Sequence, residues 1–325
     1  MKRRLKHLLW LLPLLIVAVP PLFHAWQPGE GRSFNGVNLS QVQFEEVRFY
    51  NQNDQLQLAG MLLLPAASPR YPAVVLIHGS GTSQRANRWY LTLAHHLQQQ
   101  GIAVLLPDKR GSEKSEGEWR RANLETLAND TEAAIAYLRG RQLPISGISI
   151  IGLSQGGQIA SIVASRQPEL KAVVNVVGSA LPMRETLVYE ERHNLRDMGF
   201  LPPVADVLAP LTSRVLIHFT QRAFWQALGN FDALPYWRQV TQPILVIYGE
   251  QDTNVPSRQS AERLQSLRNP LLQVIVYPGS GHAIEDPIDR GDQLFRHEAL
   301  MAVSEFIHQH NPPNVEPSMP LLNPP

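Results

Sequence analysis

The sequence predicts an α/β fold: a mostly parallel central sheet with a leading antiparallel hairpin, helices on both faces and a helical cap insertion. Three observations predict it. Short apolar runs of strand length alternate with stretches of helical length, the pattern of βαβ units with right-handed crossovers. The first two strand-like segments are joined by a polar turn, which makes them a hairpin. One stretch, residues 181–240, interrupts the alternation with scattered prolines, aromatics and helical segments but no clear strand.

The elements follow in order. Val42 to Tyr50 alternates and is rich in β-formers, and the turn-prone Asn51-Gln52-Asn53-Asp54 separates it from Leu56 to Leu64. Ala73 to Ile77 is continuously apolar, as suits a strand buried on both faces. A helix is predicted from Trp89 to Gln100, stopped by Gly101, and a buried strand from Ile102 to Leu106. A long helix from about Leu124 to Leu138 precedes strand Ile148 to Ile151, helix Gln155 to Arg166 and strand Ala172 to Val177. After the interruption come strand Ile244 to Tyr248, helix Ser257 to Leu267, strand Leu272 to Val276 and a last helix from about Gln293 to His308. The insertion is expected to lie over the carboxyl ends of the strands, where open α/β sheets bind ligands.

The chain of 325 residues suits one large domain, expected over residues 42–310, with the cap at 181–240 and a Pro-rich tail at 311–325. Apolar residues make up 44% and charged residues 18%, a globular balance. A formal net charge of +1 provides no basic field to recruit nucleic acid, so no nucleic-acid partner is expected. The absence of cysteine excludes disulfides, thiolate nucleophiles and Cys-ligated zinc. Lys2, Arg3, Arg4 and Lys6 precede an apolar run from Leu8 to Phe23. Residues 1–27 therefore read as a cleaved signal peptide or an N-terminal membrane anchor, followed by a linker at 28–41. Either reading exports the body to the cell envelope or periplasm, because the basic cluster stays inside.

The strongest chemical signal is Gly152-Leu153-Ser154-Gln155-Gly156, with Gly157 behind it. It follows a buried strand directly and opens a helix, the context of a nucleophile elbow. Gly152 and Gly156 read as positions where the chain crowds itself. The helix behind the elbow aims its positive end at Ser154. A serine hydroxyl needs a base, and His282 is the candidate, in the flexible loop Pro278-Gly279-Ser280-Gly281-His282 after the last strand. His297, His308 and His310 read as a solvated helix face, while His193 and His218 sit in the insertion. The acid is expected after strand Ile244–Tyr248. Asp252 is the candidate, Glu250 its rival, and Asp286 and Asp289 fall after the histidine. Two backbone N–H groups are needed for a developing oxyanion. Gln155 is expected to provide one and Ser80, in His78-Gly79-Ser80-Gly81-Thr82, the other, with Gly81 close behind. His78 reads as a structural residue shaping that loop.

Taken together, His78-Gly79-Ser80-Gly81, Asp108-x-Arg110-Gly111, Gly152-x-Ser154-x-Gly156-Gly157, Gly249-x-x-Asp252 and Gly281-His282 resemble the α/β-hydrolase superfamily. The likeness is greatest to its dienelactone-hydrolase-like, serine-aminopeptidase-like and acyl-transferring esterase branches, and it covers about Val42 to His308. It implies the α/β-hydrolase fold and a Ser-Asp-His triad. One position departs from the pattern: Glu113 stands where similar proteins carry a second glycine, which bears on the shape of that loop.

The expected activity is a serine hydrolase cleaving carboxylic esters or thioesters of small acyl compounds through an acyl-enzyme. An exported serine aminopeptidase of the same fold is the alternative, with Glu185, Glu190 and Glu191 able to hold an amine. A catalytically silent envelope binding protein is the alternative from another class. No cofactor or metal is expected, since no G-x-x-x-x-G-K-[ST], H-E-x-x-H or G-x-G-x-x-G in the required context is present. Met183, Leu187, Tyr189, Met198, Phe200, Phe224, Trp225, Phe231, Tyr236 and Trp237 could line an acyl pocket or pack the cap onto the core. Membrane contact is expected only through the N-terminal segment.

Overall fold

The computed structural model describes residues 35–66, 69–215, 228–286 and 293–312. The export or anchor segment, His218, Phe224, Trp225, Asp289 and nearly all of the Pro-rich tail lie outside the described residues.

The chain opens with a hairpin of β1 (Glu45–Asn51) and β2 (Leu56–Leu63), followed by β3 (Tyr71–Ile77), α1 (Arg88–Gln99) and β4 (Ala103–Pro107). Next come α2 (Leu124–Gly140), β5 (Ile145–Leu153), α3 (Gln155–Arg166) and β6 (Val173–Val176). The insertion supplies α4 (Met183–Asp197), α5 (Pro202–Val215) and the single turn α6 (Leu234–Trp237). The chain then completes β7 (Ile244–Gly249), α7 (Ser257–Gln265), β8 (Leu272–Tyr277) and α8 (His297–His310). Asn87 starts α1 by accepting from the N–H of Trp89, and Asn123 starts α2 by accepting from the N–H of Thr126.

The eight strands form one sheet in the order β1-β2-β4-β3-β5-β6-β7-β8. Pairing is antiparallel in β1–β2 and β2–β4 and parallel from β4 to β8. This is the mostly parallel sheet with a leading hairpin that the sequence predicts. β3 is buried along its whole length and alternates between two cores. Val75 and Ile77 face α2 and α3, while Val74 and Leu76 face α1 and α8. Fully burying one such side chain contributes roughly 1.5–3 kcal/mol, which is why the continuous apolar run reads as a central strand.

Several boundaries differ from expectation by a few residues, and two of them have a visible cause. The last helix begins at His297, not at about Gln293. Gln293 bridges Asn35 in extended backbone, and Phe295 turns at a φ of 64° to bury its ring, so the helix cannot start earlier. The first strand begins at Glu45, because a 3-10 turn at Leu39–Gln41 precedes it and buries Val42.

The chain folds back on itself where the strand order reverses. From β3 it moves to β4 on one side, then returns to β5 on the other. Ile77 and Gly152 are register partners, so the loops leaving β3 and β5 emerge side by side into that crevice.

One buried charge cluster anchors the hairpin. The Arg110 guanidinium, beyond β4, donates to both carboxylate oxygens of Asp130 on α2 at 2.7 Å and to Asp54 in the hairpin turn at 2.6 Å. Asn51 donates to Asp130 and Asp54 as well. Burial pushes the Asp130 carboxyl up and Arg110 opposes that push. Removing one partner of such a group strands the other in a poorly solvated site. Arg110→Met is therefore expected to lower stability by about 3 kcal/mol, read as a fall in the urea midpoint at unchanged slope.

Candidate active site

Ser154 sits between β5 and α3 with φ 55° and ψ −123°, a conformation that L-residues rarely adopt. The strain follows from crowding. A Cβ on Gly152 would overlap the carbonyl oxygen of Gly156, one on Gly156 that of Ile77, and one on Gly157 the side-chain oxygen of Asn175. The turn is held from behind: the N–H of Ser154 donates to Val176 at 2.8 Å. Asn175 meanwhile brackets Gly178 with one bond to its N–H and one to its carbonyl. The hydroxyl thus stands clear of the sheet at the N-terminus of α3, where the partial positive charge of the helix favours an anion.

β7 and β8 leave the sheet in register, Gly249 opposite Tyr277, and carry the other two groups. The Gln251 N–H donates to the Ser280 carbonyl at 2.8 Å, locking the two loops together. His282 Nε2 lies 3.1 Å from Ser154 Oγ, and His282 Nδ1 lies 2.8 Å from Asp252 Oδ2. Asp252 is buried, and its second oxygen accepts from the N–H groups of Asn254 and Val255 at 2.8 and 2.9 Å. Glu250, the rival acid, turns outward to pair with Arg258 and accepts from the Gly279 N–H. The structure therefore brings Ser154, His282 and Asp252 into one hydrogen-bonded chain and leaves Glu250 outside it. His193, His297, His308 and Asp286 do not join that chain.

The loop after β3 faces the same space. Gln155 is the first residue of α3, so its N–H has no intrahelical partner. The Ser80 N–H makes no hydrogen bond among the described residues. The Gly79 N–H, by contrast, donates to the Tyr90 hydroxyl at 2.7 Å and is spoken for. Burial pushes the Tyr90 phenol up to about 12, so it stays protonated. His78 Nε2 contacts the Pro107 carbonyl at 2.8 Å. Burial, with Lys109 nearby, holds His78 down at about 3, so it is neutral and structural. Glu113 adopts φ 51°, the left-handed backbone that a glycine would take, and its carboxylate accepts from the Arg85 N–H at 2.9 Å. The loop keeps its turn without the glycine.

A cavity of about 570 Å³ opens above Ser154 and His282. The insertion roofs it through Met183, Leu187, Glu190 and Glu191 of α4, whereas Glu185 is exposed outside it. Burial raises the Glu190 carboxyl. Trp237 is buried in the core, Phe231 and Tyr236 pack on it, Phe200 sits in a small cluster within the cap, and Met198 is exposed. The Tyr189 hydroxyl donates to the Asp252 carbonyl at 2.7 Å, tying the cap to the acid's loop. Trp89 lies 5.6 Å from the His282 ring, centroid to centroid. Tyr189, expected to line an acyl pocket or pack the cap, instead ties the cap to the loop of Asp252. Trp89 and Tyr90 are site residues that the sequence reading missed; the one available signal is an aromatic pair in the first turn after the Asn87 cap, which also suits an ordinary helix start.

Known proteins resemble this chain at several levels. The family model described as BAAT / acyl-CoA thioester hydrolase C terminal matches residues 131–289, and that of the X-Pro dipeptidyl-peptidase (S15 family) matches residues 54–205. The acylamino-acid-releasing enzyme of Sus scrofa is 26% identical over 72% of this chain and 33% of its own length. Acyl-coenzyme A thioesterase 2, mitochondrial, of Rattus norvegicus is 28% identical over 48% of this chain and 34% of its own. The chain thus spans about a third of the length of these two relatives. Among solved structures, an esterase of Pyrococcus furiosus superposes with a TM-score of 0.62 at 20% identity, covering 86% of this chain and all of that one. A proline iminopeptidase of Mycobacterium smegmatis gives 0.54 at 17% identity, covering 82% and 99%.

The elbow geometry has a measurable consequence. Ser154→Gly and Ser154→Ala lose the same hydroxyl, but only glycine relieves the positive φ. The Gly variant is expected to be more stable than the Ala variant by about 1 kcal/mol, as measured by thermal melts of the pair.

Proposed function

Since the chain belongs to the α/β-hydrolase superfamily, we propose that it is a serine hydrolase of carboxylic esters and thioesters, with Ser154 as nucleophile. The observation that carries this reading is the continuous hydrogen-bonded chain from Ser154 through His282 to Asp252. His282 Nε2 takes the hydroxyl proton as Ser154 Oγ attacks the acyl carbon. Asp252 holds the ring tautomer through Nδ1 and stabilises the imidazolium that forms. The N–H groups of Ser80 and Gln155 receive the negative charge on the former carbonyl oxygen. When the tetrahedral intermediate collapses, the bond to the alcohol or thiol breaks and His282 returns the proton to the leaving group. Water then attacks the acyl-Ser154 ester with His282 as base, releasing the carboxylic acid and restoring the hydroxyl.

The basic and apolar N-terminal run supports an enzyme working outside the cytoplasm. A second reading, an aminopeptidase, is favoured by Glu190 and Glu191, whose carboxyls line the cavity above Ser154 and could hold a substrate ammonium.

Hydrolysis of p-nitrophenyl esters of increasing chain length, run beside aminoacyl-p-nitroanilides, tests both. Ester turnover is expected to exceed anilide turnover, to fall at least about a thousandfold in Ser154→Ala, and to fall about as far in Asp252→Asn. Glu250→Gln is expected to stay within about threefold of the parent. Ester activity surviving Ser154→Ala would overturn the mechanism, and a dominant loss in Glu250→Gln would overturn the choice of acid.

A further inference from the structure

Lys109 is a buried lysine with no carboxylate of its own. It follows β4 in Asp108-Lys109-Arg110, but Asp108 is committed to Arg85, and Asp130 to Arg110. The residue is 7% exposed. The ammonium donates to two main-chain carbonyls, Gly79 at 2.5 Å and Gly81 at 3.0 Å, and lies 5.8 Å from the centre of the Trp119 ring. The Lys109 N–H donates to Ser83 Oγ at 2.9 Å, so backbone and side chain grip the same loop. Burying a charge without a counter-ion is expensive. An apolar side chain of similar length would fill the space without that penalty, which makes the position of the ammonium informative.

The two carbonyls flank Ser80. A trans peptide unit is planar, with its C=O and N–H pointing in opposite directions. The Gly79 carbonyl and the Ser80 N–H belong to one such unit. An ammonium holding that oxygen from below the loop turns the Ser80 N–H the other way, toward the cavity that Ser80 and Ser154 share. Charge at the carbonyl end also polarises the amide and strengthens its N–H as a donor. We propose that Lys109 is a positioning residue for the oxyanion hole, orienting and strengthening the Ser80 N–H through the Gly79 and Gly81 carbonyls. This rests on the reading of Ser154 as nucleophile.

Burial pushes the ammonium down to about 7, with Asp130 opposing the shift. The titratable groups facing Lys109 are His78, whose pKa burial lowers to about 3 so that it is uncharged, and the paired Asp130–Arg110 and Asp108–Arg85. A group with a lowered lysine pKa is protonated below that value and neutral above it. The clamp is therefore strongest on the acid side and weakens as pH rises through neutrality, so it contributes a descending alkaline limb to kcat.

The test compares the parent with Lys109→Met. The Met variant is expected to lose about 10- to 100-fold in kcat with KM changed less than about threefold. It should bind a trifluoromethyl ketone, whose hemiketal oxyanion occupies the hole, more weakly by the same factor, and lack the alkaline limb near 7. A readout independent of turnover is the Ser80 amide resonance in the Ser154→Ala protein. It should titrate near 7 and become flat when Lys109→Met is added. An unchanged kcat in a folded Met variant, a loss confined to KM, or a Ser80 amide flat across neutrality with Lys109 present overturns the proposal. Failure of a fluorophosphonate to label Ser154 in the parent instead overturns the hydrolase reading beneath it, and the two failures are separately visible.

Discussion

The turn from Leu153 to Gly157 packs its backbone on itself and against the ends of β3 and β6, and the rest of the site depends on that contact. No side chain fits at Gly152, Gly156 or Gly157, because main-chain oxygens and Asn175 already occupy the space. The strain at Ser154 persists because the surroundings over-determine it: the sheet fixes the N–H through Val176, and the helix fixes the next residue. Had any of these glycines carried a methyl group, α3 would stand off the sheet. Neither Ser154 nor the loop after β3 would then keep its place.

Parallel pairing carries that local precision outward. Register partners at the ends of β3 and β5, and again at the ends of β7 and β8, bring four loops out at one edge. The Ser154 hydroxyl with the Gln155 N–H, the imidazole, the carboxylate and the Ser80 N–H arise on four different loops, yet none needs a long reach. The charges beneath them are mostly matched in pairs, as at Arg85–Asp108 and Arg110–Asp130. Lys109 departs from that rule by exchanging a carboxylate for two carbonyls.

Much of the architecture was legible because it rests on periodicity. Continuous apolar runs named the central strands and Gly101 marked a helix end, so the sheet and hairpin follow the expectation closely. Boundaries failed where tertiary contact overrode local pattern, as at Gln293, which is claimed by Asn35 instead of the helix. The motif order pointed to Ser154, His282 and Asp252, and the structure brings these three together. Spacing favoured Asp252 and kept Glu250 as its rival; the structure separates the two, turning Asp252 inward to N–H donors and Glu250 outward to Arg258. Glu113 was doubtful because sequence rules treat left-handed backbone as glycine's preserve, whereas here its carboxylate caps a neighbouring N–H across the loop. Tyr90 and Lys109 left no mark because each acts on main-chain atoms, which carry no residue-type signature in a sequence, and Tyr189 stood out only as an aromatic of the insertion.

The bond from the Tyr189 hydroxyl to the Asp252 carbonyl joins the roof of the cavity to the floor of the site. An outward swing of α4 must break a bond whose other end is the backbone of the group that steers His282. Roof and floor are thus one mechanical unit: the hydroxyl that seats α4 also fixes where the Asp252 backbone lies.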